Sequence, residues 1–590
     1  MYCGILPQDG AGINMGFDGR INTMKLITSS RLAGEFKQAR ILFGLLMFSL
    51  LCCVTTVSAN SAAIASAHRL ATEAGEAVII QGGNAFDAAV AVTAALAVVE
   101  PYSSGLGGGG FWLLHRALDK RDVMIDGRET APGKASERMY LDDENKPIRG
   151  ASLNGPGAAA IPGTPAALVH IASNYGNLTL AKSLAPAIRL ARDGFKIDAR
   201  FARAIKNHQN KLRRDHNAAR IFLPAGTAPA AGSIFRQPQL AATLTAISKH
   251  GKNGFYRGHV AQEMVQSVTG AGGIWAARDL SRYRIVERKP VKFTYRGTQV
   301  TTASLPSAGG LSLAQGLNIL ENFSLSTLNQ SDRTHLIVEA LRHAFQDRAS
   351  YLGDSDFVNV PERKLMSKDY ARERASKISV DRVYSKPDRV ESMVEEGAET
   401  THFSIMDGEG NRVAATMSIN TFFGSGFVAG ETGVLLNNEM DDFSIGDNMP
   451  NVYGLHGGKA NNISPGKRPL SSMSPTFLEN EKGILIVGTP GGSRIISMLL
   501  LVIVDYVDNQ QVSPMELVSR PRFHHQYRPD RVEIESDAFD DKWIAKLVEK
   551  GHVVKTEKRR WGNMQLIFFD KESRQSYVAS DPRGKTDTRY

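Results

Sequence analysis

Helix and sheet signals both run through this 590-residue sequence, so the expected fold class is α/β (α+β). Three stretches carry that expectation. Residues 400–406 and 412–421 alternate in side-chain character around Asp407-Gly408-Glu409-Gly410-Asn411, the pattern of a β-hairpin. Residues 331–351 align Leu336, Ile337, Ala340, Leu341, Ala344 and Phe345 along one stripe, the pattern of an amphipathic helix. The short apolar run Ile484-Leu485-Ile486-Val487 suits a buried strand.

Composition narrows the class. With 42% hydrophobic and 22% charged residues the chain is globular in type and long enough for one large or two ordinary domains. The net charge of +10 is spread without a dense basic tract, which suits solubility and weak surface adhesion and argues against a nucleic-acid partner. No P-loop or zinc motif occurs, and His524-His525 lacks companions at ligand spacing, so neither a metal nor a cofactor is expected.

The front of the chain reads as a leader, residues 1–59. An apolar run over 41–54 follows Lys37 and Arg40 and precedes Val57-Ser58-Ala59, small residues where a signal peptidase cuts. The run is shorter than the about 20 residues a bilayer span needs, so export to a periplasmic or secreted location is expected, with a retained membrane anchor as the alternative. Met24 is a plausible start. Leu51 before Cys52 disfavours a lipoprotein. Cleavage after Ala59 removes Cys3, Cys52 and Cys53, the only cysteines, leaving neither disulfides nor thiol chemistry.

Asn84 is a helix cap for the alanine-rich run 85–99, which Pro101 ends. Gly107 to Gly110 follow a helix rather than a strand, so close backbone packing explains them better than dinucleotide binding. Residues 111–115 and 123–126 read as strands, with Arg128 at a strand end. From about 166 to 345 helical patterns alternate with polar loops and are read as packing layers. Residues 379–399 are charged and aperiodic, a solvated linker. Residues 442–471 form a long loop rich in Gly, Pro and Asn, and Gly491-Gly492 after the strand at 484–487 could direct two N–H groups at a substrate or form a tight turn.

Within the hairpin, a turn centred on Glu409 sets Ser418 opposite Thr400, with Asn420 on the same face. A half-solvated hairpin would give the same alternation. The functional reading is sharper. A hydroxyl nucleophile needs a nearby base, and the α-amine of an N-terminal threonine, with a pKa of about 7.7–8.0, is one known solution. Thr400 has no free amine in the intact chain, so this reading demands a cut between Glu399 and Thr400.

The run Thr400-Thr401-His402-Phe403-Ser404 is followed by Ser418-Ile419-Asn420, Phe423-Gly424-Ser425-Gly426, the block 436–443, the block 468–475 and Thr489-Pro490-Gly491-Gly492-Ser493. Together they resemble the γ-glutamyltranspeptidase family, over nearly everything from about Ser61 onward. The resemblance implies a four-layer αββα sandwich of the N-terminal-nucleophile hydrolase type. It implies a precursor cut into a large subunit, 60–399, and a small catalytic subunit, 400–590, that stay together as a heterodimer.

The activity implied is hydrolysis and transfer of γ-glutamyl groups from glutathione and related compounds to water, amino acids or dipeptides. By the same resemblance Thr400 is the nucleophile, Ser418 its hydroxyl neighbour where the family often has threonine, and Gly491 and Gly492 the oxyanion donors. Arg128, Ser471 and Ser472 take the α-carboxylate, Asn420, Glu439 and Asp442 the α-ammonium, and Tyr453 lies in a lid loop. A β-lactam (glutaryl) side-chain acylase, a polyglutamate hydrolase of the same fold and a secreted binding protein without turnover are the rivals.

Overall fold

Two six-stranded sheets face each other in the computed structural model, which describes residues 62–384, 398–446, 449–509 and 512–584. The leader reading falls outside these residues. Among the described residues seventeen strands are defined in chain order. The sheet strands before the hairpin are β1 (Ala63–Ser66), β2 (Gly109–Arg116), β3 (Arg121–Asp126), β6 (Val286–Arg288), β7 (Val291–Tyr295) and β8 (Thr298–Thr302), with β4 (Phe195–Lys196) and β5 (Ile234–Phe235) forming a separate ribbon. From the hairpin onward come β9 (Ala398–Met406), β10 (Arg412–Thr421), β11 (Thr476–Glu479), β12 (Gly483–Gly488), β16 (Gln565–Asp570) and β17 (Ser576–Ser580), while β13 (Phe523–His524), β14 (Val532–Ile534) and β15 (Val554–Thr556) make a small sheet.

The first sheet runs β1-β9-β10-β2-β3-β6 and the second β17-β16-β12-β11-β8-β7. Every pairing within them is antiparallel. Each sheet combines strands from before and after Thr400.

Helices cover both outer faces, giving four layers. Helix α1 (Arg69–Ile80) and helix α2 (Ala85–Val99) pack on the first sheet through a core that includes Val90, Leu96, Trp112, Phe403, Val413 and Met417. Helix α2 is buried along its whole length, so it has no polar stripe to read. Its start is set by a capping box, in which Asn84 Oδ1 accepts the N–H groups of Phe86 and Asp87 and the Asp87 carboxylate accepts the Asn84 N–H.

Helices α3 (Gly309–Leu320), α4 (Gln330–Tyr351) and α5 (Arg494–Asp508) cover the second sheet. Their core also takes Phe111, Leu113, Met124 and Ala414 from the inner face of the first sheet, so sheet packs on sheet there.

Three expectations change. The helical stretch read over 166–345 contains β6, β7 and β8, where Val291, Phe293 and Tyr295 alternate with Lys292 and Thr294 before the turn at Arg296-Gly297. The hairpin is not half-solvated, because β10 is buried at every residue, one face on helices and the other on the second sheet. The linker is shorter than 379–399: the Val383 N–H is bonded to Lys550 O, the Tyr384 N–H to the Glu339 carboxylate, and β9 begins at Ala398. The charged run 385–397 lies outside the described residues. Among the described residues no helix is long and apolar enough to cross a membrane.

Candidate active site

Thr400 sits near the start of β9 and is 4% exposed. The hairpin register pairs it with Ser418, as the turn at Glu409 predicted. Thr400 Oγ1 points at Ser418 Oγ across 3.5 Å, the long limit of a hydrogen bond. Beyond Ser418 the register slips, and Thr421 instead of Asn420 pairs next, with Ala398. Asn420 takes the left-handed region at φ +76°, its N–H donates to Ser418 Oγ at 2.7 Å, and its Nδ2 donates to Asn438 O at 2.9 Å. The bulge thus sets Ser418 and Asn420 side by side in the wall that Thr400 also lines. On the opposite face of β9, Thr401 Oγ1 donates to Glu100 Oε2 at 3.0 Å and pins the strand to the end of α2.

The glycine run after α2 makes this geometry possible. A Cβ on Gly108 would lie 2.1 Å from Ser418 O, and one on Gly107 would lie 2.0 Å from Leu435 O. Backbone contact with the strand beside Thr400 is therefore what these glycines allow. Lys211 supports the turn that follows, donating to Thr421 Oγ1 at 3.1 Å, to Phe422 O at 3.2 Å and to Gly424 O. Burial pushes its pKa down to about 7.

A small cavity of about 20 Å³ adjoins Thr400, room for about one water. Arg128, Ser418, Asn420, Glu439, Asp442, Tyr453, Ser471, Ser472 and Gly492 all line it with Thr400, whereas Gly491 is not among the lining residues and the side chain of Glu399 lies outside the described ones. Tyr453 OH donates to Asn420 Oδ1 at 2.5 Å, which ties the loop after Asp442 to the hairpin. Ser471 Oγ accepts the Met473 N–H at 3.1 Å.

Arg128 and the acidic residues form a single network instead of two separate charge clusters. Arg128 Nη1 lies 2.6 Å from Glu439 Oε2 and 3.3 Å from Glu129 Oε2, Nη2 donates to Asp442 Oδ2 at 2.5 Å, and Nε donates to Pro469 O at 3.2 Å. Glu439 Oε1 and Glu129 Oε1 are buried with no partner among the described residues. Desolvation raises both carboxyls above the ordinary glutamate range, with Arg128 opposing it.

Gly491 and Gly492 follow β12 with φ of +142° and +56°, conformations that favour glycine. Among the described residues neither N–H has a hydrogen-bond acceptor. They lead into the N-terminus of α5, whose aligned peptide dipoles favour negative charge nearby.

Sequence reasoning missed Arg348, on the last turn of α4, which lines the cavity at 5% exposure. An arginine near a helix C-terminus is ordinary, and only its burial marks it. Leu455, Leu470, Met473 and Ile495 complete the apolar wall. Among the described residues one buried group could hold a cation, His335, Glu339 and His552, and none of the three lines the cavity. Its imidazoles are bonded to each other at 2.7 Å, and Glu339 accepts from Arg342 and the Tyr384 N–H.

A family model described as gamma-glutamyltranspeptidase matches residues 71–589. The chain belongs to that family. It is 41% identical over 539 residues to a protein of Escherichia coli (strain K12) named glutathione hydrolase proenzyme, covering 90% of this chain and 92% of that one. The solved Helicobacter pylori γ-glutamyltranspeptidase is 40% identical with a TM-score of 0.53, over 54% of this chain and 91% of that one. A cephalosporin acylase from Bacillus halodurans superposes with a TM-score of 0.78 at 27% identity, over 90% of this chain and 95% of that one. The family's sandwich is the fold described above, with two sheets between helical layers.

Proposed function

We propose that this protein is a glutathione hydrolase and γ-glutamyltransferase whose nucleophile is Thr400, released as an N-terminal residue by self-cleavage. The reading rests above all on Thr400 lining a small cavity whose wall carries buried charges of both signs, Arg128 with Glu439 and Asp442. A γ-glutamyl head group is a zwitterion, and such a wall can answer both of its charges. Family membership supports the same conclusion.

Maturation comes first. Thr400 Oγ1 attacks the Glu399 carbonyl carbon, the C–N bond breaks as the ester forms, and the proton passes to the new amine. Water then hydrolyses the ester, leaving 60–399 and 400–590 as two chains. The freed amine is the base the hydroxyl needs.

In turnover Thr400 Oγ1 attacks the γ-amide carbonyl while the amine accepts its proton. The Gly491 and Gly492 N–H groups take the oxyanion. The amine then protonates the departing cysteinylglycine. Water, an amino acid or a dipeptide releases the glutamyl group from the ester. Asn420, Glu439 and Asp442 receive the α-ammonium, and Arg128, Ser471 and Ser472 the α-carboxylate. Hydroxyl, amine and backbone amides fill every role without a cofactor. The apolar run and Val57-Ser58-Ala59 support export, with the mature chain beginning at Asn60.

Intact mass spectrometry tests the reading directly. Purified protein should give two chains, the smaller beginning at Thr400, and release glutamate from glutathione. Thr400→Ala should remain one inactive chain. Efficient cleavage of that variant at the same bond would assign the cut to another protease.

A further inference from the structure

The cavity beside Thr400 is lined by a second cation, Arg348, that has no directly bonded partner among the described residues. Arg348 is 5% exposed, yet among the described residues its side chain has no hydrogen-bond acceptor and no carboxylate within ion-pair distance, and its Nε is wholly buried. Its pKa is pushed down to about 10, by burial first, with Asp442 only partly offsetting that. A guanidinium taken out of water without a partner is costly, and an entering anion relieves the cost.

Arg128 has less to offer an incoming anion. Its guanidinium is shared among Glu129, Glu439 and Asp442, and its Nε is bonded to a carbonyl. Both arginines line the cavity that Thr400 faces, together with Ser471 and Ser472. Among the described residues the carboxylates on that wall are Glu439 and Asp442, and both are already bonded to Arg128.

We propose that Arg348 is a substrate-binding residue that supplies a second guanidinium to the α-carboxylate of the γ-glutamyl donor. A planar fork suits a carboxylate, and Arg348 brings one whose donors are uncommitted. Arg128 correspondingly holds Glu439 and Asp442 in position for the α-ammonium. This inference rests on the γ-glutamyl reading.

The test compares two donors that differ only in the group Arg348 is assigned to. γ-Glutamyl-p-nitroanilide carries the α-carboxylate, and 4-aminobutanoyl-p-nitroanilide has the same chain and ammonium without it. The readout is the ratio of their kcat/KM values, which does not depend on the fraction of folded enzyme. Arg348→Met should lower that ratio at least fivefold, mainly by raising KM for the glutamyl donor, and Arg348→Lys should recover part of it. A fall of less than fivefold in Arg348→Met overturns the proposal, because a merely structural arginine would depress both donors alike. If the wild-type enzyme does not turn over the glutamyl donor, the γ-glutamyl reading is what fails. The same threshold applied to the glutaryl over butyryl anilide ratio then decides the carboxylate contact alone.

Discussion

The Ser418 hydroxyl oxygen accepts the Asn420 N–H at 2.7 Å while facing Thr400 Oγ1. Ser418→Ala should therefore leave a buried N–H unpaired, at about 1–3 kcal/mol. It should also free the threonine rotamer. The expected result is a fall in kcat of about tenfold or more with a smaller change in KM, checked by steady-state kinetics, and an unchanged kcat would remove Ser418 from nucleophile positioning. The acidic pair gives a second test. A glutaryl donor lacks the ammonium that Glu439 and Asp442 are assigned to, and breaking such a buried pairing costs about 3–5 kcal/mol, a factor of about a hundred or more in rate. The wild-type enzyme should prefer the γ-glutamyl anilide by that much, and Asp442→Ala should lose most of the preference. Equal kcat/KM for both anilides would favour the glutaryl acylase. At this scale the sequence was legible where pairing rules apply: hairpin alternation alone put Ser418 opposite Thr400. It was silent where burial decides, since neither the Arg128–Glu439–Asp442 contacts nor the inward aim of Arg348 has a local signature.

The hairpin β9–β10 is held in place by a run of residues with no side chains to hold anything. Gly107 and Gly108 allow the chain after α2 to lie directly on the backbone carbonyls of Leu435 and Ser418. Gly108→Ala would force its methyl against Ser418 O, 2.1 Å away, and a backbone carbonyl in a central strand has little room to yield. The expected cost is about 1–3 kcal/mol, read as a lower denaturation midpoint, together with slower appearance of the two chains on a denaturing gel. Wild-type processing and stability in that variant would contradict the close contact. Elements with local punctuation were readable from the sequence. Asn84 and Pro101 bracket α2, and the turn Asp407 to Asn411 bounds the hairpin. The strands β6 to β8 had a usable signal in Val291, Phe293 and Tyr295, but the helical patterns around them masked it. The capping of α2 is local chemistry, whereas the slip beyond Ser418 depends on Asn438, Tyr453 and Lys211, which reach it from distant parts of the chain.

For the molecule as a whole, burial of uncharged imidazoles sets a pH limit. Burial pushes the pKa of His402 down to about 3 and those of His343 and His524 to about 4, from an ordinary 6.5. The unfolded chain takes up protons as pH drops through 6.5 while the folded chain does not. The stability these residues contribute is thus present above about pH 6.5 and lost as pH falls toward their native values, by up to about 1.4 kcal/mol per pH unit for each imidazole. The urea midpoint should be lower at pH 5 than at pH 7, and a higher midpoint at pH 5 would count against burial of the neutral rings.

Both large sheets draw strands from either side of Thr400, with β1 beside β9, β2 beside β10, and β8 beside β11. Before the cut, recovery from urea is unimolecular; after it, two separate polypeptides must find each other and interleave. Refolding of the Thr400→Ala chain should therefore proceed at a rate independent of protein concentration. The matured protein should recover less activity as it is diluted, and each of its fragments alone should expose unsatisfied strand edges and precipitate. The cut that creates the nucleophile would then also turn a reversible fold into one assembled only once.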